Sequence, residues 1–453
     1  MFNKILIANR GEIAVRIIRA CREMGISTVA IYSKADKDAM HVQLADESYC
    51  VGDSRVADSY LNMPAILTVA VQSGAQAIHP GYGLLSENAK FVQLCEQCNI
   101  EFIGPTSEMI SLLGDKDKAR KTMRAAGVPV TPGTDVLDNV TQAKEEAAKV
   151  GYPLLIRARS GGGGRGIRLV KTAKEFESAY NSAYAEAQSA FGDGALYIEK
   201  FLKPVKHIEM QILCDKHGNA LCLGERECSV QRHNQKLIEE SPSPSISDET
   251  RKAMMDAAIK AAHAVNYNSV GTVEFLYDKD GNFYFMEMNT RLQVEHGVTE
   301  MVTGMDLVQW QIRVAAGKEL NKKQEEVFFH GNTIECRINA EDPDNNYMPS
   351  CGKVTGLHIP GGSFVRFDTA LYQDYVIPPF YDSMVGKVIV QGRSRELAIR
   401  KMKMALSELS VQGIKINRDL MIDILSADEF VDGTYTTDFM ESFEKNNKKK
   451  KRG

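Results

Sequence analysis

Residues 271–296, GTVEFLYDKDGNFYFMEMNTRLQVEH, limit what this chain can become more than any other stretch. Two β-rich apolar runs flank DKDG, so the segment is predicted to be a hairpin. Pairing Tyr277 with Asn282 sets Glu274 opposite Phe285 and makes Glu287 its diagonal neighbour. A slip of two residues puts the two glutamates directly opposite. Either register leaves both carboxylates on one face, with Cβ atoms ~5–8 Å apart. Carboxylates that close repel unless a cation neutralises them, and hard oxygen ligands suit magnesium or manganese. Beyond Glu287 the alternation predicts a continued strand, with Asn289, Arg291, Gln293 and Glu295 on one side and Met288, Leu292 and Val294 on the other. A solvated strand face would accept Lys, Ser and Thr freely. Here every polar side chain is a metal ligand or a planar hydrogen-bonding group. The row suits a metal-bound nucleotide followed by a small anion. Arg291 offers a planar fork for a carboxylate-like oxyanion, and Glu295 is placed to take a proton from it as a general base.

A second feature points the same way. Residues 157–166 read RARSGGGGRG, between the strand-like GYPLLIRA and GIRLV. Bare backbone N–H groups can wrap phosphate oxygens, and arginines add charge-assisted bonds; the alternative is a flexible turn. It is not a Walker A loop, because no G-x-x-x-x-G-K-[ST] occurs. Lys116 in GDKDK, Lys200 in EKF and Lys236 in NQK each read alone as surface charges, and together with the glycine loop could supply the positive potential a triphosphate requires. His207 in KHIEMQIL reads either as a ribose contact or as a satisfied structural histidine. His79 in AIHPGYG reads either as a turn residue or as a site residue. Cys95 and Cys98 form one CxxC on the helical pattern AKFVQLCEQC, with no second pair to complete a zinc site. Lys403 in KMKMA sits within the MKM triplet of biotin-carrier domains, but the helical pattern RELAIRKMKMALSEL makes it an ordinary helix lysine.

Along the chain, KILIA (4–8), the helix at 12–25, STVAIY (27–32), a helix at 64–73, AQAIH (75–79) and EFIG (101–104) set up a βαβ rhythm. This predicts a doubly wound parallel sheet with functional loops at the carboxyl ends of its strands. GVPVTPG (127–133) breaks the pattern. The overall class is α/β, with domains expected at 1–113, at 114–320 (including a small glycine-loop lid at about 130–203) and, as a mixed β/α carboxyl-terminal domain, at 321–443. A disordered basic tail is expected at 444–453. A net charge of −4 over 453 residues argues against a general nucleic-acid binder. No run of ~18 apolar residues suggests a membrane span. Nine cysteines, odd in number and without framework spacing, fit a reducing cytoplasm.

Taken together, ILIANRGEIAVRIIRA, IHPGYGLLSENA, GDK, SGGGGRGI, EKFL, GERECSVQR, QKLIEESPSP, FMEMNTRLQVEH, ECRINAEDP and PPFYDSMVGK resemble the biotin carboxylase subunit of acetyl-CoA carboxylase, an ATP-grasp enzyme. The resemblance spans residues 2 to about 440. It implies that ATP lies between the lid and the larger sheet, with adenine and ribose near Glu199, Lys200, Leu202 and His207. It implies phosphate contacts at Lys116, Arg157, the backbone of Gly163 and Gly164, and Lys236, with Gln231 and Asn234 in the nucleotide site. Glu274, Glu287 and Asn289 would hold magnesium. Bicarbonate would meet Lys236, Arg291, Gln293 and the Val294 backbone. Glu295 would deprotonate it for attack on the γ-phosphate, giving carboxyphosphate, which breaks down to carbon dioxide and phosphate. Arg337 would stabilise the biotin enolate, and Tyr82 belongs to the biotin-side pocket. A homodimer through the first and third regions, including Arg19 and Glu23, is also implied. So are a biotin carboxyl carrier protein and carboxyltransferase subunits as separate partners.

The chain departs from the family pattern at four places. Arg157 stands where a lysine is usual, His233-Asn234 replaces the more common Arg-His, and Gly297 and Cys351 each replace a proline. The last two should loosen the backbone locally. Competing readings are a carboxylase of another acyl-CoA or pyruvate type, another ATP-grasp ligase joining a carboxylate to an amine, and a nucleotide-binding relative without turnover.

Overall fold

The computed structural model describes residues 1–160 and 166–450. Lys4–Ile7 pairs in parallel with Ser27–Ser33 on one side and Ala77–His79 on the other, and Glu47–Gly52 and Glu101–Phe102 complete a five-stranded parallel sheet. The predicted βαβ rhythm is therefore present, with Glu47–Gly52 as a strand not anticipated. The helix Gly11–Glu23 buries Ile13, Ile17 and Ile18 against this sheet and gives way at Gly25, whose φ of +72° suits a residue without Cβ. Strand order reverses between Lys4–Ile7 and Ala77–His79. At that switch point Asn9 donates to the carbonyls of Pro80 (2.6 Å) and Tyr82 (2.8 Å), tying two loops together where ligand clefts form in such sheets.

The segment 154–200 forms a three-stranded antiparallel sheet of Ile167–Val170, Leu154–Ala158 and Leu196–Lys200, backed by the helices Val140–Val150 and Phe176–Phe191. Residues 161–165, with Gly163 and Gly164, lie outside the described residues. The third unit is an eight-stranded antiparallel sheet. Its strands run in space as Phe283–Asn289, Ser269–Asp278, Val205–Cys214, Ala220–Arg232, Gln235–Ser241, Asn332–Asn339, Met384–Gly392 and Val365–Thr369. Strands from the second and third expected regions thus belong to one sheet, joined where Ile238 faces Cys336 and Glu240 faces Ile334.

Period-two patterning decides what each face of this sheet does. Ile208, Met210 and Ile212 turn to one side and pack on Met254, Ala257, Ala258 and Ala261 of the helix Asp248–Ala264. Their neighbours His207, Glu209 and Gln211 turn to the other, polar side. At the carboxyl end, Phe439 meets Tyr435 edge-to-face and Phe443 at a tilt, and Glu444 accepts from the Tyr347 hydroxyl at 2.7 Å. These contacts hold a helix, Phe439–Lys450, that continues through most of the stretch expected to be a disordered tail. That expectation is corrected for residues 444–450. No helix among the described residues is long and apolar enough to cross a membrane.

Candidate active site

The hairpin chooses between the two registers by means of a bulge. Tyr277 faces Phe283 and Phe275 faces Phe285, yet Glu274 faces Glu287, because Met286 is an extra residue on its strand. The two glutamates are therefore directly opposed. The row extends further than the hairpin: Glu274 also faces Glu209 on the next strand, and Glu209 faces Arg226 beyond it. A line of charge crosses four neighbouring strands.

The expected strand continuation past Asn289 does not occur. Residues 290–295 leave the sheet, and Glu295 is the residue before the helix His296–Thr303. Side-chain bonds rather than strand alternation bring the row together. Asn289 Nδ2 and Gln293 Nε2 donate to Glu274 Oε1 at 2.8 and 3.0 Å, and Arg291 donates to Gln293 Oε1 and Asn289 Oδ1 at 3.0 and 3.1 Å. Arg291 is braced from behind by Glu87, whose carboxylate accepts from its Nε at 2.9 Å and from the Thr290 N–H at 3.1 Å. Sequence reasoning did not single out Glu87, which sits in a loop of the first unit.

Lys236 is the hub. Its ammonium donates to Glu209 (2.6 Å), Glu295 (2.7 Å) and Glu274 (3.1 Å). Burial alone would lower its pKa; the three carboxylates raise it well above the usual lysine value, so it stays charged. Glu295 is 0% exposed and bridges Lys236 to Arg337, which donates from Nη2 at 2.9 Å. Burial works to raise the Glu295 pKa, but Lys236, Arg337 and Arg226 outweigh it and hold the carboxyl well below its ordinary range. Behind Arg337 lies Glu239, which accepts from its Nε at 2.7 Å and is pushed up to about 7, mainly by burial. Glu209, Arg226 and Glu239 were missed, although the alternation HIEMQI already set Glu209 on the face of His207.

The remaining predicted residues converge on one cleft of about 1040 Å³. Arg157 and Glu199, on adjacent strands of the small sheet, meet at 2.7 Å inside it. Lys200 and Leu202 line it as well, and the Lys200 ammonium donates to the carbonyls of Gly151 and Tyr152 at 3.1 and 3.2 Å. His207 Nε2 lies 2.9 Å from Glu274 Oε2 while its Nδ1 accepts from Gln231 at 2.9 Å. Asn234 and His233 both have positive φ, forming the two-residue turn between Arg232 and Gln235 at the cleft's edge. Tyr82 and Val294 close the end near Glu295 and Arg337. Lys116, at the start of the helix Lys116–Ala125, lines an adjoining cavity and reaches Glu287 at 3.3 Å. Arg19 and Glu23 lie elsewhere, exposed on the helix Gly11–Glu23. His79 is buried and accepts from the Gly81 N–H at 3.1 Å, which is the turn role. Cys95 is buried within the helix Ala89–Gln97 and Cys98 is exposed at its end; Lys403 lies within the helix Arg395–Glu408.

A carboxylate fixed between two cations, next to an opposed glutamate pair, at the end of a deep cleft is equipped to bind a polyanion and move a proton beside it. Three family models match the chain: biotin carboxylase N-terminal domain over residues 1–110, carbamoyl-phosphate synthase L chain ATP-binding domain over 115–323, and biotin carboxylase C-terminal domain over 335–442. Biotin carboxylase 1 of Bacillus subtilis is 54% identical over 446 residues, 98% of this chain and 99% of that one. The chain belongs to the biotin carboxylase family. It shares that family's ATP-grasp fold and is an ATP-dependent ligase. A crystal structure of the biotin carboxylase–βγ-ATP complex from Campylobacter jejuni matches it with a TM-score of 0.94 and 48% identity, covering 98% of this chain and 99% of that one. The biotin carboxylase domain dimer of Hydrogenobacter thermophilus 2-oxoglutarate carboxylase, crystallised with MgADP, ADP and bicarbonate, matches with a TM-score of 0.92 and 49% identity, covering 98% of each.

Proposed function

We propose that this protein is the biotin carboxylase subunit of acetyl-CoA carboxylase, using ATP and bicarbonate to carboxylate biotin on a separate carrier protein. The observation that carries the reading is Glu295, ionised and fully buried between Lys236 and Arg337, with Arg291 and Gln293 beside it. Solved relatives in complex with βγ-ATP, or with MgADP and bicarbonate, support the ligands.

In this reading the adenine and ribose lie by Glu199, Lys200, Leu202 and His207. Arg157, Lys116 and Lys236 face the phosphates, with Gln231 and Asn234 at the edge. Glu274, Glu287 and Asn289 fit a divalent cation, because the opposed carboxylates and the Asn289 side-chain carbonyl supply hard oxygens. Magnesium bound there would draw charge from the transferring phosphoryl oxygens. Bicarbonate rests on Lys236, Arg291, Gln293 and the Val294 N–H. Its negative charge, settling on the cations that hold Glu295, raises the proton affinity of Glu295 at the moment a proton is to be taken. The deprotonated oxygen attacks the γ-phosphorus and ADP leaves, giving carboxyphosphate. That species breaks down to carbon dioxide and phosphate. The phosphate takes the ureido N–H proton, biotin attacks the carbon dioxide, and Arg337 steadies the enolate oxygen while Tyr82 borders the ring.

The domain division at 113 and 320, a homodimer using the faces of Arg19 and Glu23, carboxyltransferase partners and a cytoplasmic setting belong to the same proposal. Nine free cysteines and the relative crystallised as a dimer support it. The test is phosphate release from ATP by the purified protein. Release should require bicarbonate and rise with free biotin; an amine acceptor in place of biotin should have no effect. Reconstitution with a carrier protein and acetyl-CoA, pyruvate or 2-oxoglutarate carboxyltransferases then separates acetyl-CoA carboxylase from its relatives. Turnover confined to pyruvate or 2-oxoglutarate would overturn the acetyl-CoA assignment.

A further inference from the structure

Lys387 is 0% exposed, a charged side chain sealed where the amino-terminal unit meets the eight-stranded sheet. Its ammonium donates to the carbonyl of Val294 at 2.6 Å and lies 3.2 Å from Glu12 Oε1 and 4.0 Å from Asp368. Asp368 is already engaged by two bonds from Arg366, at 2.8 and 2.7 Å, which leaves Glu12 as the lysine's main counter-charge. Glu12 stands in the first turn of the helix Gly11–Glu23, and the same Oε1 accepts the Tyr82 hydroxyl. One unbroken series, Tyr82–Glu12–Lys387–Val294, therefore runs through buried space and joins four segments far apart in sequence.

The two ends of that series are both in the cleft. The Val294 peptide belongs to 290–295, which has left the ladder, so no neighbouring strand fixes its orientation. An ammonium with a full charge does so instead. Sealing a lysine from water is costly, and an aliphatic side chain of similar length would fill the volume without that cost. The lysine's presence therefore calls for a reason beyond packing. Glu12, Glu335 and Asp368 more than offset burial and keep it protonated.

We propose that Lys387 is a positioning residue: it holds the Val294 carbonyl and, through Glu12, the Tyr82 hydroxyl, so that the Val294 N–H and the Glu295 carboxylate keep their aim at the anion site. The role rests on the function proposed above. It predicts a split among kinetic constants. None of the proposed adenine and ribose contacts (Glu199, Lys200, Leu202 and His207) belongs to this series, so Lys387→Met in the full-length enzyme should raise the bicarbonate KM about tenfold or more and depress kcat, while the ATP KM changes less than about threefold. Glu12→Gln, which keeps an acceptor oxygen but removes the charge, should shift the bicarbonate KM in the same direction by less, and should raise the biotin KM. A purely packing role would lower the melting temperature and leave the bicarbonate-to-ATP KM ratio alone. Should Lys387→Met fail to fold, Glu12→Gln decides by itself, since an unchanged bicarbonate KM there breaks the series. Wild-type enzyme measured in parallel separates the two readings. ATP cleavage indifferent to bicarbonate refutes the proposed function and this role with it. Bicarbonate-dependent wild type with an unmoved KM ratio in both variants overturns the positioning role alone.

Discussion

A general base is usually recruited by raising its pKa, and Glu295, the base proposed above, is held in the opposite state. Its cations make it a certain carboxylate at neutral pH, and only an incoming anion can weaken their grip. Glu295→Gln should therefore leave ATP affinity within about threefold of wild type and abolish bicarbonate-dependent phosphate release; loss of nucleotide binding with normal residual turnover would remove it as the base. In the proposed metal site its neighbours are held unequally. Glu274 accepts from Asn289, Gln293 and Lys236 and lies 2.9 Å from His207, whereas among the described residues Glu287 has Lys116 as its hydrogen-bond partner and its side chain is 39% exposed. Glu287→Gln should raise the magnesium needed for half-maximal rate severalfold with little change in thermal stability. Glu274→Gln should lower the melting temperature as well, because it deprives a buried lysine of one counter-charge. Equal, small effects in a magnesium titration would count against a shared metal site. Glu274, Glu287, Asn289, Arg291 and Glu295 were legible because they fall in one run of sequence with a chemical signature. Glu209, Arg226, Glu239 and Glu87 were not, because each looks like an ordinary surface charge until the fold shows what it faces.

At the scale of elements, the hairpin shows what periodicity can and cannot carry. Alternation placed both glutamates on one face correctly, but only the bulge at Met286 decides that they stand opposite each other. A bulge leaves no mark in a pattern of apolar and polar residues. Past Asn289 the alternation persists in sequence while the backbone turns away, since the side-chain bonds of Arg291 and Gln293 replace the ladder. The small sheet carries the clearest prediction. Arg157 is the direct cross-strand partner of Tyr197 and is diagonal to Glu199, whose carboxylate its guanidinium grips. That grip sets where the fork can point. Arg157→Lys should change turnover at least about threefold, because a point charge on a shorter stem cannot hold Glu199 and a phosphate in the same geometry. Arg157→Ala should weaken nucleotide binding outright. Steady-state kinetics with nucleotide titration checks both, and unchanged ATP affinity in the alanine variant would take Arg157 out of the site.

Across the whole molecule, the units are locked by buried charge as well as by apolar contact. Glu300, on the helix beginning at His296, takes Arg16 from the amino-terminal helix at 2.8 Å and Arg366 from the far strand of the large sheet at 2.7 Å. Burial would raise its pKa, but the two arginines hold it well below the usual range. Such a depressed carboxylate adds stability that is complete above its unfolded pKa of about 4.3 and is lost as pH falls through the folded value. Glu300→Gln should therefore destabilise by about 3–5 kcal/mol at pH 7. That difference should hold down to about pH 4.5 and shrink toward pH 2, as read by denaturant unfolding across the range; a difference independent of pH would refute it. The seam between Gln235–Ser241 and Asn332–Asn339 has a practical consequence. Cutting the chain near residue 325, between two matched family models, would expose the hydrogen-bonding edge of Gln235–Ser241, with Leu237 and Ile238 along it. A bare edge of that kind recruits other strands. Modular exchange between relatives should thus succeed by transplanting the small unit around 140–200, and a fragment ending near 325 should precipitate on expression however well its own strands are formed.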